Sequence, residues 1–326
     1  MERTGAYLIP GADLRLAVDL AQRAEAWGYE CLWVTHGYGR DAFLVLSAYA
    51  QATRSIGLGT GVVPIYPRHP VALAQEAMTL AELSAGRFRL GVGVSHRPTM
   101  EGSLGLDMGK PLEVMREYVA ILRAALTGRV EHVGARHRVN WTSGLPRLPG
   151  PAPILLAGLS AKMLELSGET ADGAVLWLCA PTYIRGIAIP AIARGRQKVG
   201  KSLKGFEVVA AVPVALTDEV EVTSALFKEE LTRYLALPFY RAMLTASGFG
   251  EELAAFDSDK ARSVSPGRAM PARLVTSLAG IGDRKAIRDC VAAYREAGVT
   301  LPAVRPIGFP EAPHYRPTLE AIAPRA

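Results

Sequence analysis

With 326 residues, 49% of them hydrophobic and 21% charged, the chain can bury a sizeable core, which excludes an intrinsically disordered protein. Its formal net charge of +6 comes from 37 Lys and Arg against 31 Asp and Glu. The basic residues are scattered and lack the interleaved aromatics that stack bases, so a nucleic-acid partner is not expected.

No apolar stretch is long enough to span a bilayer, and Met1 to Pro10 lacks the pattern of a secretory leader, so a soluble, cytoplasmic protein with no membrane partner is expected. Cys31, Cys179 and Cys290 lie far apart with no CxxC, which predicts reduced thiols in place of a disulfide framework or a structural zinc site.

In chain order, Tyr7-Leu8-Ile9 reads as a strand, followed by a helix from Asp13 in which Leu16, Leu20, Ala24 and Trp27 recur until Gly28 stops it. Cys31–Val34 predicts the second strand, Phe43–Ala52 a helix, and Ile56–Val63 a third strand interrupted by glycines. Pro70 suits the first turn of a helix running to Ser84, and Phe88–Val94 gives the fourth strand. A helix over Pro111–Leu126 precedes an excursion, Arg129–Pro151, with two short β-like runs. Ile154–Ala157 and Ala174–Leu178 predict strands five and six, with helices over Ala161–Thr170 and Thr182–Val199. Val208–Leu216 predicts strand seven, then helices over Asp218–Ser247 broken at Pro238, and a polar, mobile stretch over Asp257–Pro271. Helices over Asp283–Ala297 and Arg316–Ala323 flank an eighth strand at Ala303–Arg305.

Eight strands alternating with helices, and no linker between halves, predict an α/β fold of the (β/α)8 TIM-barrel type with insertions. A doubly wound sheet is the alternative. One domain over 1–326 is expected, with excursions near 129–151 and 238–271.

Barrel active sites lie at the C-terminal strand ends, which directs attention to His36, Gly61 to Tyr66, Ser95 to Arg97, Ala157 to Ser160, Cys179-Ala180 and Arg305. His36, His69 and His96 all fall near that face, but no HxH pair or neighbouring carboxylate set completes a metal site, so no metal is expected. Each histidine also reads as an ordinary hydrogen-bonded loop residue. The glycines of strands three and four admit either a flat ligand against the backbone or simple strand crowding. Ala157-Gly158-Leu159-Ser160, between a strand and a helix, reads either as a phosphate-holding turn or as a plain turn with Ser160 as N-cap. Trp33, Phe88 and Trp177 read as core aromatics.

The run Ile56-Gly57-Leu58-Gly59-Thr60-Gly61-Val62-Val63-Pro64-Ile65-Tyr66-Pro67-Arg68-His69-Pro70, then Ala72-Leu73-Ala74-Gln75 and Leu83-Ser84-Ala85-Gly86-Arg87-Phe88-Arg89-Leu90-Gly91-Val92-Gly93, resembles the bacterial luciferase-like monooxygenase superfamily. Within it, the chain is similar to the deazaflavin (coenzyme F420) dependent oxidoreductases. Ala24-Glu25-Ala26-Trp27-Gly28-Tyr29, Ala171-Asp172-Gly173 and Gly282-Asp283 support the likeness.

The resemblance implies a barrel whose mouth holds a flavin-type tricycle, with a cis non-proline peptide at Gly61-Val62. Thr60, Gly61, Val62, Val63, Gly93 and Ser95 would lie at the ring, and Ala157, Gly158, Leu159 and Ser160 at its phosphate-bearing tail. Where some relatives carry an Asp-His pair after strand two and a Glu after strand four, this chain offers His36-Gly37 and His96. These two histidines are the candidate acid-base or hydrogen-bonding residues, and Arg305 the candidate substrate-binding residue. The implied activity is hydride transfer between F420 and a small organic substrate, running as a reductase. An FMN-dependent monooxygenase and a non-catalytic flavin- or deazaflavin-binding protein are the alternatives, and a homodimer fits the resemblance.

Overall fold

The computed structural model describes residues 2–37, 39–145, 150–262 and 270–325. The strands are β1 (Gly5–Tyr7), β2 (Cys31–Val34), β3 (Gly57–Thr60), β4 (Val63–Pro64), β5 (Phe88–Gly93), β6 (Arg129–Val133), β7 (Arg138–Thr142), β8 (Ile154–Ala157), β9 (Gly173–Trp177), β10 (Glu207–Leu216), β11 (Gly280–Gly282) and β12 (Leu301–Pro306). Helices α1 (Leu14–Ala26), α2 (Ala42–Ala52), α3 (Pro70–Leu83), α4 (Pro111–Leu126) and α5 (Ala161–Thr170) precede the later helices, which are named by range. With β3 and β4 counted as one interrupted strand and β11 as an addition, the parallel strands and their helices form a (β/α)8 TIM barrel.

The chain makes up two compact units. One comprises Cys31–Val175 and Ala191–Glu207. In it β2, β3, β5, β8 and β9 pair in parallel, in registers such as Trp33 with Gly59, Leu58 with Phe88, and Leu90 with Ile154. Trp33, Leu58, Phe88, Leu90 and Leu156 are buried there. Asp41, His69 and Ser160 accept backbone N–H bonds at the starts of α2, α3 and α5, and Pro70 opens α3, so these helix starts follow from local chemistry. The excursion after α4 is an antiparallel hairpin, β6 with β7, in the register Val130 with Trp141; residues 146–149 of that excursion lie outside the described residues.

The other unit comprises Met1–Glu30, Leu176–Pro190 and Val208–Ala326. β12 pairs with β1 and with β10, and β10 also carries β11, which has only three residues and no sequence signal strong enough to predict it. The first strand lies two residues earlier than predicted, over Gly5–Tyr7. The helix predicted over Thr182–Val199 is interrupted by a π-type turn at Ile184–Ala188 just before Pro190. A proline lacks the N–H for an ordinary helical bond, and the wider turn accommodates its ring. The stretch predicted to be mobile begins inside a helix, Gly250–Ala261, where Leu253 and Phe256 are buried and Asp257 pairs with Arg241; its residues 263–269 lie outside the described residues. Among the described residues no helix is long and apolar enough to cross a membrane.

Candidate active site

The third strand, expected over Ile56–Val63 with interruptions at its glycines, is observed as two pieces, β3 and β4. It breaks between β3 and β4 at a cis Gly61–Val62 peptide, the position implied by the resemblance. The last residue of β2 and the two that follow it hold this segment. Gly61 N–H donates to the Val34 carbonyl at 2.8 Å, the Thr35 hydroxyl to the Gly61 carbonyl at 2.8 Å, and His36 N–H to the Val62 carbonyl at 3.3 Å. On the other side the Thr60 hydroxyl donates to the Gly91 carbonyl and accepts from Gly91 N–H, both at 2.8 Å.

These bonds revise the expected roles. Thr60 is fully buried, with its hydroxyl committed to β5, so it positions the segment and does not present a side chain to a ligand. Gly61 is buried with both backbone groups engaged, and Val63 is fully buried. At Gly59, Gly91 and Gly93 the space beside the backbone is taken by the protein itself. A Cβ at Gly59 would lie 2.4 Å from the Trp33 ring, one at Gly91 2.0 Å from the Thr60 carbonyl oxygen, and one at Gly93 2.8 Å from Val62 Cγ2. What lies against Gly93 is therefore the Val62 side chain, with the Ala157 Cβ 3.2 Å from the same point. Val62 itself remains partly exposed, as do Ser95, with φ of +59°, and His96 beyond the end of β5.

His36 and His96 stand at the C-terminal ends of β2 and β5. The His36 Nδ1 accepts Ala42 N–H at 3.3 Å, so the neutral ring carries its proton on Nε2. Burial, and then Arg68, hold the His36 pKa below the ordinary imidazole value against the pull of Asp41; burial alone lowers that of His96. Asp41 caps α2 and also binds Arg68 at 2.7 Å, a support for His36 that its place before a helix could have revealed. His69, the third predicted histidine, caps α3 through Nδ1 at 3.3 Å.

The lowered values have a consequence for stability. As pH falls through about 6.5 the unfolded chain takes up protons that the folded His36 and His96 still refuse, so stability falls with pH. The urea midpoint is expected to be lower at about pH 5.5 than at about pH 7.5, and the drop to shrink in a His36→Gln/His96→Gln variant. An equal drop in that variant would place the effect elsewhere.

At the end of β8, Ala157 and Leu159 are partly exposed and Gly158 is buried. Ser160 is the N-cap of α5: its hydroxyl accepts Met163 N–H at 3.2 Å, as the plain-turn reading required. The first two helical N–H groups, on Ala161 and Lys162, have no acceptor within the helix. The first turn contains no acidic residue, and it carries the exposed Lys162, which the sequence reading overlooked. A cation there is disfavoured by the helix dipole unless an anion joins it, so this donor set fits a phosphate-bearing group.

Arg305 belongs to the other unit, on β12. It is 5% exposed and donates to Glu230 at 2.6 Å. Trp33 and Phe88 are core residues, whereas Trp177 is only half-buried. Among the described residues no group of His, Cys, Asp and Glu is arranged to hold a metal.

A Mycobacterium tuberculosis protein named as a coenzyme F420-dependent oxidoreductase is 29% identical over 318 residues, covering 88% of this chain and 89% of its own. The solved coenzyme F420-dependent tetrahydromethanopterin reductase of Methanopyrus kandleri superposes with a TM-score of 0.82 at 22% identity, over 100% of this chain and 99% of that one. An FMN-bound Baeyer–Villiger monooxygenase component from Pseudomonas putida gives 0.72 at 18% identity, covering 99% and 97%. The luciferase-like monooxygenase family model matches residues 1–301, and the chain belongs to that family.

Proposed function

We propose that the protein is a coenzyme F420-dependent oxidoreductase that reduces a small organic molecule. The observation that carries this reading is the nearly end-to-end match to a relative named as an F420-dependent oxidoreductase, supported by a donor set at the start of α5 that suits an anionic tail. When bound, F420 supplies a hydride donor at a ring carbon. Val62 and Ser95 would border its ring, with the peptide at Val62 fixed by Thr35, His36 and, through Thr60, by Gly91. Ser160, Lys162 and the first N–H groups of α5 would receive the phosphate, with Leu159 and Ala157 beside them.

His36 contributes an Nε2–H donor for a substrate oxygen or nitrogen, held in orientation by Ala42. Burial lowers the pKa of His96, which would give the reduced substrate its proton as the imidazolium and take it back in the reverse direction. Fixed positions supply much of the rate, because a donor already aimed need not be reorganised during the reaction.

Titration of the purified protein with F420, FMN and NADPH tests the cofactor. F420 should bind; tight binding of FMN alone would overturn the assignment in favour of a flavin monooxygenase. His36→Ala and His96→Ala should retain F420 affinity and slow single-turnover hydride transfer by about a hundred-fold. Unchanged rates in both would remove the histidines from the reaction.

A further inference from the structure

The second unit of the fold to carry strand ends, Leu176–Pro190 with Val208–Ala326, contains a compact aromatic and ionic cluster that the cofactor reading does not use. Trp177 is the last residue of β9, and Arg305 lies one residue before the end of β12. Both are therefore at C-terminal strand ends, where barrels bind their substrates. Glu230 and Tyr234 sit one turn apart on the helix Val220–Leu235.

The Arg305 guanidinium donates to Glu230 Oε1 at 2.6 Å and lies 4.8 Å from the centre of the Trp177 ring. Tyr234 meets the Trp177 ring edge-on at 5.9 Å, and Tyr240 packs on Tyr234 at 4.8 Å. Arg305 and Glu230 expose only 6% and 9% of their side chains, whereas Trp177 and Tyr234 are half-buried.

An arginine at a strand end invites an anionic substrate, and Arg305 was expected to bind substrate. Here its charge is already matched. A carboxylate or phosphate approaching Arg305 would meet Glu230 at the same place, with little water to weaken the repulsion. Of the cluster's side chains only Trp177 and Tyr234 remain partly exposed, and aromatic surface suits a flat, conjugated and uncharged molecule.

We propose that this cluster recognises planar, uncharged carbonyl compounds, and that Glu230 sets this preference by cancelling the charge of Arg305. The proposal deepens the oxidoreductase reading and rests on it for the identification of the ligand as a substrate. Trp177 and Tyr234 supply the contact surface, Arg305 backs the indole, and Glu230 acts through Arg305 as a specificity-determining residue.

The test compares two nearly isosteric probes, 2-acetylnaphthalene and 2-naphthoate, by equilibrium dialysis against the full chain without added cofactor. The wild type should bind the ketone at least about ten-fold more tightly than the carboxylate. Trp177→Ala should lose most of the ketone affinity. Glu230→Gln uncovers the Arg305 charge and should shift the ratio towards naphthoate by about ten-fold or more.

Breaking a buried ion pair destabilises a fold, so the double variant Arg305→Met/Glu230→Gln, which leaves no unmatched charge, serves as the second arm and should regain the preference for the ketone. Equal binding of both probes by the wild type, binding of neither, or a ratio unchanged by Glu230→Gln in a folded protein would overturn the proposal. If Glu230→Gln does not fold, a double variant that favours naphthoate would overturn it. F420 binding without this preference would leave the oxidoreductase reading standing and sink the recognition proposal. The preference without F420 binding would do the reverse.

Discussion

Gly91→Ala is expected to lower the stability of the protein by about 3 kcal/mol, at the upper end of ordinary overpacking costs. The added methyl would lie 2.0 Å from the Thr60 carbonyl oxygen and 3.1 Å from Val62 Cγ1. The first of these is backbone and cannot swing aside as a side-chain tip can. Relief requires β3 and β5 to separate, and the Thr60 hydroxyl would then lose its bonds to both backbone groups of residue 91.

Gly102→Ala is the matched control, because a methyl there meets nothing within 4 Å, and its urea midpoint should stay near that of the wild type. Thr60→Val keeps the shape but leaves the buried Gly91 N–H and C=O without the hydroxyl, which costs about 2 kcal/mol; Thr60→Ser should recover most of it. Since Val62 follows directly on this contact, the folded fraction of Gly91→Ala should also bind F420 more weakly. A Gly91→Ala protein as stable as Gly102→Ala would show that the strands yield without cost.

Helix starts are legible in the sequence because the physics that determines them is local. Asp13, Asp41, Ser160 and Asp283 each accept an N–H at the start of a helix, and Pro70 and Pro111 occupy first turns, so helix starts could be read from single residues. The ends of β2, β5 and β8 then located His36, His96 and Ala157–Ser160 along the chain.

Contacts between distant residues left no such mark. The repeated glycines signalled a close neighbour but could not identify it as Trp33 above Gly59, the Thr60 carbonyl at Gly91, or Val62 at Gly93. Arg305, read as a substrate-binding residue, gave no sign of its pairing with Glu230, 75 positions earlier. The π-type turns at Pro98–Ser103 and Ile184–Ala188 add a residue to a helical turn, which blurs the periodicity on which helix prediction depends.

Arg87→Met should cost about 3 kcal/mol while leaving F420 affinity unchanged in the folded protein, the converse of Gly91→Ala. Ala85 and Gly86, with φ of 52° and 80°, turn the chain beyond α3 and place Arg87 immediately before β5. From there its guanidinium reaches the Ile56 carbonyl at 2.6 Å, the Ser84 carbonyl at 2.8 Å, the Thr53 hydroxyl at 3.1 Å, and the Ala50 and Thr53 carbonyls at 3.2 Å. One planar fork thus serves carbonyls at the ends of α2 and α3 and at the approach to β3, groups that a helix C-terminus leaves without partners.

Methionine fills a similar volume and offers no donor, so the loss is of charge-assisted hydrogen bonds worth roughly 1.5–3 kcal/mol each in isolation, offset where water reaches the freed carbonyls. Arg87→Lys, a point charge without the fork, should recover only part of the stability. All these contacts lie at the N-terminal ends of β3 and β5, the face of a barrel that serves stability, whereas Val62, Ser95 and His96 follow the C-terminal ends. Urea denaturation and F420 titration of the same preparations separate the two effects. Loss of cofactor affinity in folded Arg87→Met would show that the site depends on strand register along its whole length.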